Sequence, residues 1–210
     1  VTIEETSETF GKGDDLKRRL TAAAREILER EGLAALSLRA AARACGVSHM
    51  APYRHFASKD DLLAAVAEQG FRALAAALDK AETAEAGVLR ALEFGMAYVL
   101  FACDNPSLYR LMFSPFVETC GAHPGLATAG QAAFARCVAA ARTLGHACEE
   151  TAEGEPPPPI AAAIWSMVHG FSSLALDGLI RLPDAPETRR AYIAETLVSA
   201  LNVAGAVRAP

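Results

Sequence analysis

The sequence predicts an all-α fold: a small three-helix head built around a helix-turn-helix, then a larger helical body, about nine helices in all. Three observations predict it. Alanine, the best helix former, is abundant, while β-branched runs are scarce. Apolar residues recur at helical spacing along most of the chain. Two short periodic stretches meet at a glycine near position 46, and each opens on a serine suited to an N-cap.

Residues 1–13 carry Glu4, Glu5 and Glu8 and no apolar core behind a basic start, which predicts a flexible tail and not a secretion signal. A first helix is expected from about Asp14 to Glu31, with Leu16, Leu20, Ala24, Ile27 and Leu28 on one face and Gly32 at its end. Ser37 opens a second helix over Leu38 to Cys45. Gly46 ends it, Val47 plugs the turn, and Ser48 opens a third short helix to about His55. Pro52 removes one N–H from that helix and is expected to delay or distort it. Ser58 and Asp61, three apart, read as a capping box for a fourth helix to about Lys80. The head thus spans 14–60 and the body 61–205.

Within the body, helices are expected over about Ala84 to Cys103, Leu108 to Phe113 and Gly125 to Leu144. His146 to Pro159 is polar, then proline-rich, and reads as a loop. A further helix follows to about Arg181, and a last one covers Pro186 to about Ala204. Charges interrupt the apolar runs well before the roughly 20 residues that cross a bilayer, so no membrane partner is expected and the location is expected to be cytoplasmic. Five cysteines, an odd number without a CxxC, argue for reduced thiols and against a disulfide framework.

The formal net charge of −5 alone argues against a polyanion partner, but its distribution reverses that. Leu16 to Lys59 holds nine basic residues against three acids, a balance of +6 that leaves −11 for the rest of the chain. A basic head on an acidic body suits a polyanion-binding module joined to a part that stays off the polyanion.

The segment from Leu36 to Leu63 reads LSLRAAARACGVSHMAPYRHFASKDDLL. It resembles the DNA-binding domain of the TetR family of bacterial repressors. The likeness rests on a Ser opening the second helix, Gly-Val-Ser in the turn, Tyr-x-His-Phe closing the third helix and Ser-Lys opening the fourth. Trp165-Ser-Met-Val-His169-Gly170 is similar to the Trp-His-Gly signature of one C-terminal subclass. By this resemblance Ser48 to His55 forms the recognition helix, with His49, Met50 and Ala51 nearest the bases. Ser37, Arg39, Tyr53, His55 and Lys59 fall where the family contacts phosphates. Arg54 can reach either a phosphate or a base, and Phe56 reads as core. His49, Met50 and Pro52 depart from the commonest family pattern, which leaves the operator sequence open.

The resemblance implies a homodimer on double-stranded DNA. The last two helices carry apolar positions on more than one face, including Phe171, Leu174, Leu179, Tyr192, Leu197 and Leu201, which are the expected dimer interface. Between head and interface lies an aromatic and methionine-rich zone. Phe94, Tyr98, Phe101, Tyr109, Met112, Phe113, Phe116, Trp165 and His169 are the expected contacts for a small apolar or aromatic effector that releases the repressor from a palindromic operator.

Other readings stay open on the sequence. A helical enzyme is disfavoured because no HExxH, GxSxG or phosphate-binding glycine loop occurs, and His169 near Asp177 defines no nucleophile-base pair. A metal-responsive regulator rests on Cys120 with His123 and His146 with Cys148, which lack further ligands, so no metal or cofactor is expected. A thiol-responsive regulator on the same scaffold rests on the cysteines alone. An interaction module that lost DNA binding is disfavoured by Tyr53, His55 and Lys59 with the +6 segment.

Overall fold

The computed structural model describes residues 12–81, 87–119, 123–144 and 156–203, so most of the expected N-terminal tail and the stretch His146 to Glu155 lie outside the described residues. Among the described residues every regular element is helical: nine α-helices and one 3-10 turn.

The head comprises α1 (Lys12–Glu31), α2 (Leu38–Ala44), the 3-10 turn (Ala51–Arg54) and the start of α3 (Lys59–Lys80). Leu20, Ala24, Leu28, Leu36, Leu38, Phe56 and Leu62 are buried beneath it. Ser37 caps α2, its hydroxyl accepting from the Ala40 N–H at 3.1 Å. The helix ends one residue earlier than expected in a Schellman turn: the Val47 N–H reaches the Ala42 carbonyl at 3.0 Å and the Gly46 N–H reaches Arg43 at 3.1 Å. Gly46 has φ +68°, a left-handed conformation that a side chain would strain.

The third helix does not form as an eight-residue α-helix. Its first α-type bond would run from the N–H of residue 52 to the Ser48 carbonyl, and Pro52 has no N–H. Ala51 takes that carbonyl at 2.9 Å instead, an i→i+3 bond, and the segment settles as a four-residue 3-10 turn. Pro52 itself is buried. The chain then enters α3 through the expected capping box, with Asp61 N–H on the Ser58 hydroxyl at 3.1 Å and Ser58 N–H on the Asp61 carboxylate at 3.2 Å.

The body contains α4 (Val88–Asp104), α5 (Pro106–Met112), α6 (Pro115–Thr119), α7 (Pro124–Thr143), α8 (Pro159–Leu176) and α9 (Pro186–Val203). α3 runs from the head into the body, where it packs most extensively on α7 and also on α5 and α4. α8 and α9 both lie on α4, with Leu197 of α9 against Gly95 of α4. One continuous apolar core extends from Leu20 in α1 to Leu197 in α9.

Pro115 starts α6, for which the sequence pattern carried no expectation, because proline suits a first helical turn. One helix boundary in the body is corrected. α8 stops at Leu176 and not near Arg181. Gly178, at φ +72°, closes another Schellman turn with the Leu179 N–H on the Leu174 carbonyl at 2.9 Å.

α8 also corrects the expectation that charge interrupts every apolar run. Its 18 residues have a mean hydropathy of 1.3 and pass, by length and composition alone, the test for a membrane-crossing helix. Its Ala161, Ile164, Val168 and Phe171 face the core against α4 and α7. Only 28% of it is buried in the protomer, so much of an apolar helix is left for another surface.

Candidate nucleic-acid interface and ligand cleft

The head presents its chemistry outward. Arg39, Ser48, His49, Arg54 and Lys59 are exposed, Met50 is 59% exposed and Tyr53 46%, so neither of the last two is a core residue. Ser37, Ala51 and His55 are half-buried. Phe56 is buried beneath the turn, with the Lys17 ammonium 6.0 Å from its ring centre. The Ser48 hydroxyl accepts from the Met50 N–H at 3.3 Å, which starts the turn. The Lys59 ammonium donates to the Leu33 carbonyl at 3.2 Å, so a basic group at the first turn of α3 is held beside the start of α2. Arg19 donates to the Cys45 carbonyl at 3.0 Å and ties α1 to the end of α2. Every side chain expected at bases or phosphates is therefore at least partly accessible, although a 3-10 turn carries three of them, Ala51, Tyr53 and Arg54, in place of a helix.

Among the described residues, three hydrogen bonds join α1 of this head to α5 and to Asn105, which precedes it. Both Glu29 carboxylate oxygens accept from the first turn of α5: the Ser107 N–H at 3.2 Å and the Leu108 N–H at 2.8 Å. These are donors that no helix can satisfy internally, and a carboxylate also suits the positive end of the helix dipole. Arg25 donates to the Asn105 side-chain oxygen at 2.7 Å. Further along α5, Leu108 and Met112 sit so close to Gly70 of α3 that a Cβ there would lie 2.6 Å from the Met112 sulfur.

The remaining face of α5 meets the aromatic zone. The Tyr109 hydroxyl lies 2.7 Å from His169 Nδ1, the Tyr98 hydroxyl lies 3.3 Å from the same nitrogen and 3.2 Å from the Tyr109 hydroxyl, and the Trp165 indole N–H donates to Tyr98 at 3.3 Å. Phe113 closes on this string, its ring centre 4.5 Å from that of His169 and 4.8 Å from that of Tyr109. Burial raises the Tyr98 phenol far above its ordinary value and pushes Tyr109 up to about 12, while it lowers His169. All three are therefore neutral at neutral pH.

Two spaces flank this cluster. A cleft of about 160 Å³ is lined by Tyr109, Arg110, Phe113, His169, Ser173 and Asp177. At its edge Arg110 pairs with Asp177 at 3.0 Å and donates to the Leu176 carbonyl at 2.6 Å. On the other side a void of about 30 Å³ lies among Phe71, Phe113, Gly130, Phe134, Cys137 and Trp165.

Of the nine expected effector contacts, Tyr98, Tyr109, Phe113, Trp165 and His169 come together. The other four do not join the hydrogen-bonded cluster. Phe94 turns towards Leu78, Arg90 and Arg136, Met112 is buried against Gly70, Phe101 is buried in the core, and Phe116 is half-buried on α6. The dimer assignment also splits. Leu174, Leu179 and Tyr192 are exposed, with Leu179 at 73%. Phe171, Leu197 and Leu201 are buried within the protomer, because α4 already covers those faces of α8 and α9. Val198 joins the exposed set.

Sequence reasoning missed Glu29, Arg25, Arg110, Ser173 and Asp177 as partners. Each acts across a long sequence separation, and the charged ones fall outside a search for apolar walls. Cys120, His146 and Cys148 lie outside the described residues, and His123 faces the Asp61 carboxylate at 3.3 Å. Burial raises the thiols of Cys45 and Cys103 and pushes Cys137 up to about 12, which suppresses their reactive thiolate form.

Comparison with known proteins follows the same division. Residues 20–66 match the family model described as bacterial regulatory proteins, tetR family. Residues 91–200, more than half of the chain, match the model described as tetracyclin repressor-like, C-terminal domain. Among solved structures, a protein of unknown function from Rhodococcus sp. RHA1 is 32% identical, with 95% of this chain and 96% of that one covered and a TM-score of 0.67. A bacterial regulatory protein in the tetR family, from Rhodococcus RHA1, is 22% identical over 92% of this chain and 97% of the other, with a TM-score of 0.60. A TetR family transcription regulator from Marinobacter aquaeolei VT8 is 19% identical over 90% and 95%, with a TM-score of 0.61. No functionally curated protein matches the chain.

Proposed function

This chain belongs to the TetR family of bacterial regulators and is a DNA-binding transcriptional regulator, and from that premise we propose that it is a homodimeric repressor that leaves a pseudo-palindromic operator when a small molecule enters the cleft beside His169. Its place of action is then the cytoplasm. In this reading the head spans 14–60 and the body 61–205. His49, Met50 and Ala51 approach base edges, and Ser37, Arg39, Ser48, Tyr53, Arg54, His55 and Lys59 hold phosphates or steady the turn that does so. Two heads read two half-sites about one helical turn apart, roughly 34–36 Å. Leu174, Leu179, Tyr192 and Val198 supply the surface of α8 and α9 that a second copy covers.

The observation that carries the release step is the position of α5. One short helix takes its N-terminal cap from Glu29 of the head, seats on Gly70 of α3 and offers Tyr109 and Arg110 to the cleft. A ligand that moves Tyr109 or Arg110 therefore moves a helix tied to both elements that carry the head. A difference in ligand affinity of about 1–3 kcal/mol between the two arrangements gives a 5–150-fold change in DNA affinity.

The test begins with selection of bound duplexes from random sequence, which should enrich a palindrome. Fluorescence anisotropy on that duplex then measures affinity with and without each compound of a small-molecule library. A compound that weakens binding in the natural chain should still bind the Glu29→Ala variant, but there the ratio of DNA affinities without and with compound should fall towards one. No enriched palindrome would overturn the regulator reading. An undiminished ratio in Glu29→Ala would overturn the route through α5.

A further inference from the structure

We propose that the cleft takes a neutral, planar aromatic molecule bearing one hydrogen-bond acceptor, held by the imidazole N–H of His169. This rests on the reading of that cleft as the effector site and names what enters it.

The hydrogen-bonded string holds three donors that need acceptors: the Trp165 indole N–H and the hydroxyls of Tyr98 and Tyr109. Among these four side chains, every arrangement that satisfies all three has His169 Nδ1 as an acceptor. A neutral imidazole that accepts at Nδ1 carries its proton at Nε2. His169 lines the cleft, and its Nδ1 edge is occupied by the two tyrosines, so the Nε2–H edge is left for a ligand acceptor. Burial holds His169 in this neutral form.

Charge comes next. Among the described residues, the only full charges lining the cleft are Arg110 and Asp177, and they face each other at 3.0 Å. An anionic ligand would meet Asp177 and the C-terminal carbonyls of α8, the negative end of that helix, while the Arg110 guanidinium is already engaged by Leu176 and Asp177. A cationic ligand would meet Arg110 and the His169 N–H and find its one carboxylate taken. Glu93 of α4 is not among the residues that line the cleft. The neighbouring void holds Cys137 as a neutral thiol, because burial opposes the thiolate.

Shape completes the case. Tyr109, Phe113 and His169 give the cleft flat walls, and Phe113 also borders the inner void towards Phe134 and Trp165. One aromatic ring with a short carbonyl arm matches about 160 Å³ of cleft better than a long flexible chain.

The chain has a single tryptophan, and its indole N–H belongs to the string. Its one indole cross-peak in a proton–nitrogen correlation spectrum therefore reports on the site. Three probes of nearly equal shape are titrated into the whole protein: acetophenone, benzoate and benzylammonium. Acetophenone should shift the peak saturably and bind at least tenfold more tightly than either charged probe. His169→Phe should weaken acetophenone at least fivefold, and His169→Gln, which keeps an N–H donor, should recover part of that loss. Tighter binding of a charged probe, no saturable shift with any probe, or no change in His169→Phe would overturn the inference. The regulator reading is judged separately by DNA affinity. A charged compound that shifts the peak and releases DNA overturns the neutral ligand alone. Loss of operator selection with acetophenone binding intact overturns the regulator alone.

Discussion

The head and the body handle polar chemistry in opposite ways. In the head, Arg39, His49, Tyr53, Arg54 and Lys59 stand at the surface above a thin apolar floor. In the body, Tyr98 and Tyr109 are buried, and their hydroxyls satisfy one another and His169 within a closed string. The partners explain the difference. A duplex arrives as a large polyanion whose phosphates need charged donors within reach of its grooves. A small molecule must be enclosed, so its site has to satisfy its own polar groups while empty. Yet the two regions share one core, and α5 touches both.

That shared core can be broken first. Leu108 of α5 is fully buried, and Leu108→Ala should cost about 2–5 kcal/mol of stability. Head and body should melt together in one calorimetric transition at lower temperature. Two separated transitions would show that the regions are independent after all. On the head side, Lys59→Ala removes one charged donor and should weaken all DNA sequences about tenfold, since a hydrogen bond to a charged group is worth about 1.5 kcal/mol. The slope of log affinity against log salt should become shallower by about one. His49→Ala should instead change which sequences are selected. A smaller effect is expected at the junction. Ser58→Ala removes the cap of α3 and should cost about 1 kcal/mol in a denaturant titration.

The smallest expected effect is a pH dependence confined to the body. Burial lowers His169 in the folded protein from its unfolded value of about 6.5. Between the two values the unfolded chain binds more protons, so stability rises with pH across that window. The contribution is complete above the unfolded value and is lost as pH falls below it. Melting temperatures at pH 5 and pH 7.5 should differ by less in His169→Phe than in the natural chain. An equal difference would remove His169 from the account.

Much of the head was readable because its determinants are local. Ser37, Gly46, Ser58 and Asp61 act within four residues of themselves, and each cap forms as its spacing demands. Pro52 was read as a disturbance, and its missing N–H turned the third helix into a 3-10 turn. Body helices were legible to within a few residues, except where Gly178 ended α8 early and Pro115 began α6. The candidate sites were less legible. Aromatic content located the zone around His169 but could not separate Tyr98, which joins the string, from Phe94, which lies one turn earlier on the same helix, its ring centre 6.3 Å from that of Tyr98, and turns towards Leu78 and Arg90.

By itself the sequence determined the helical class, the head with its basic surplus, and the caps that start and stop its elements. Those depend on dihedral preferences, hydrogen bonds between near neighbours and total charge, all of which are properties of short segments. Only the tertiary structure decided that Glu29 caps α5, that Arg110 neutralises Asp177, and that Phe171, Leu197 and Leu201 turn inward while Leu174 and Leu179 turn out. Such pairings depend on which helix lies across which, and that is set by the packing of the whole core.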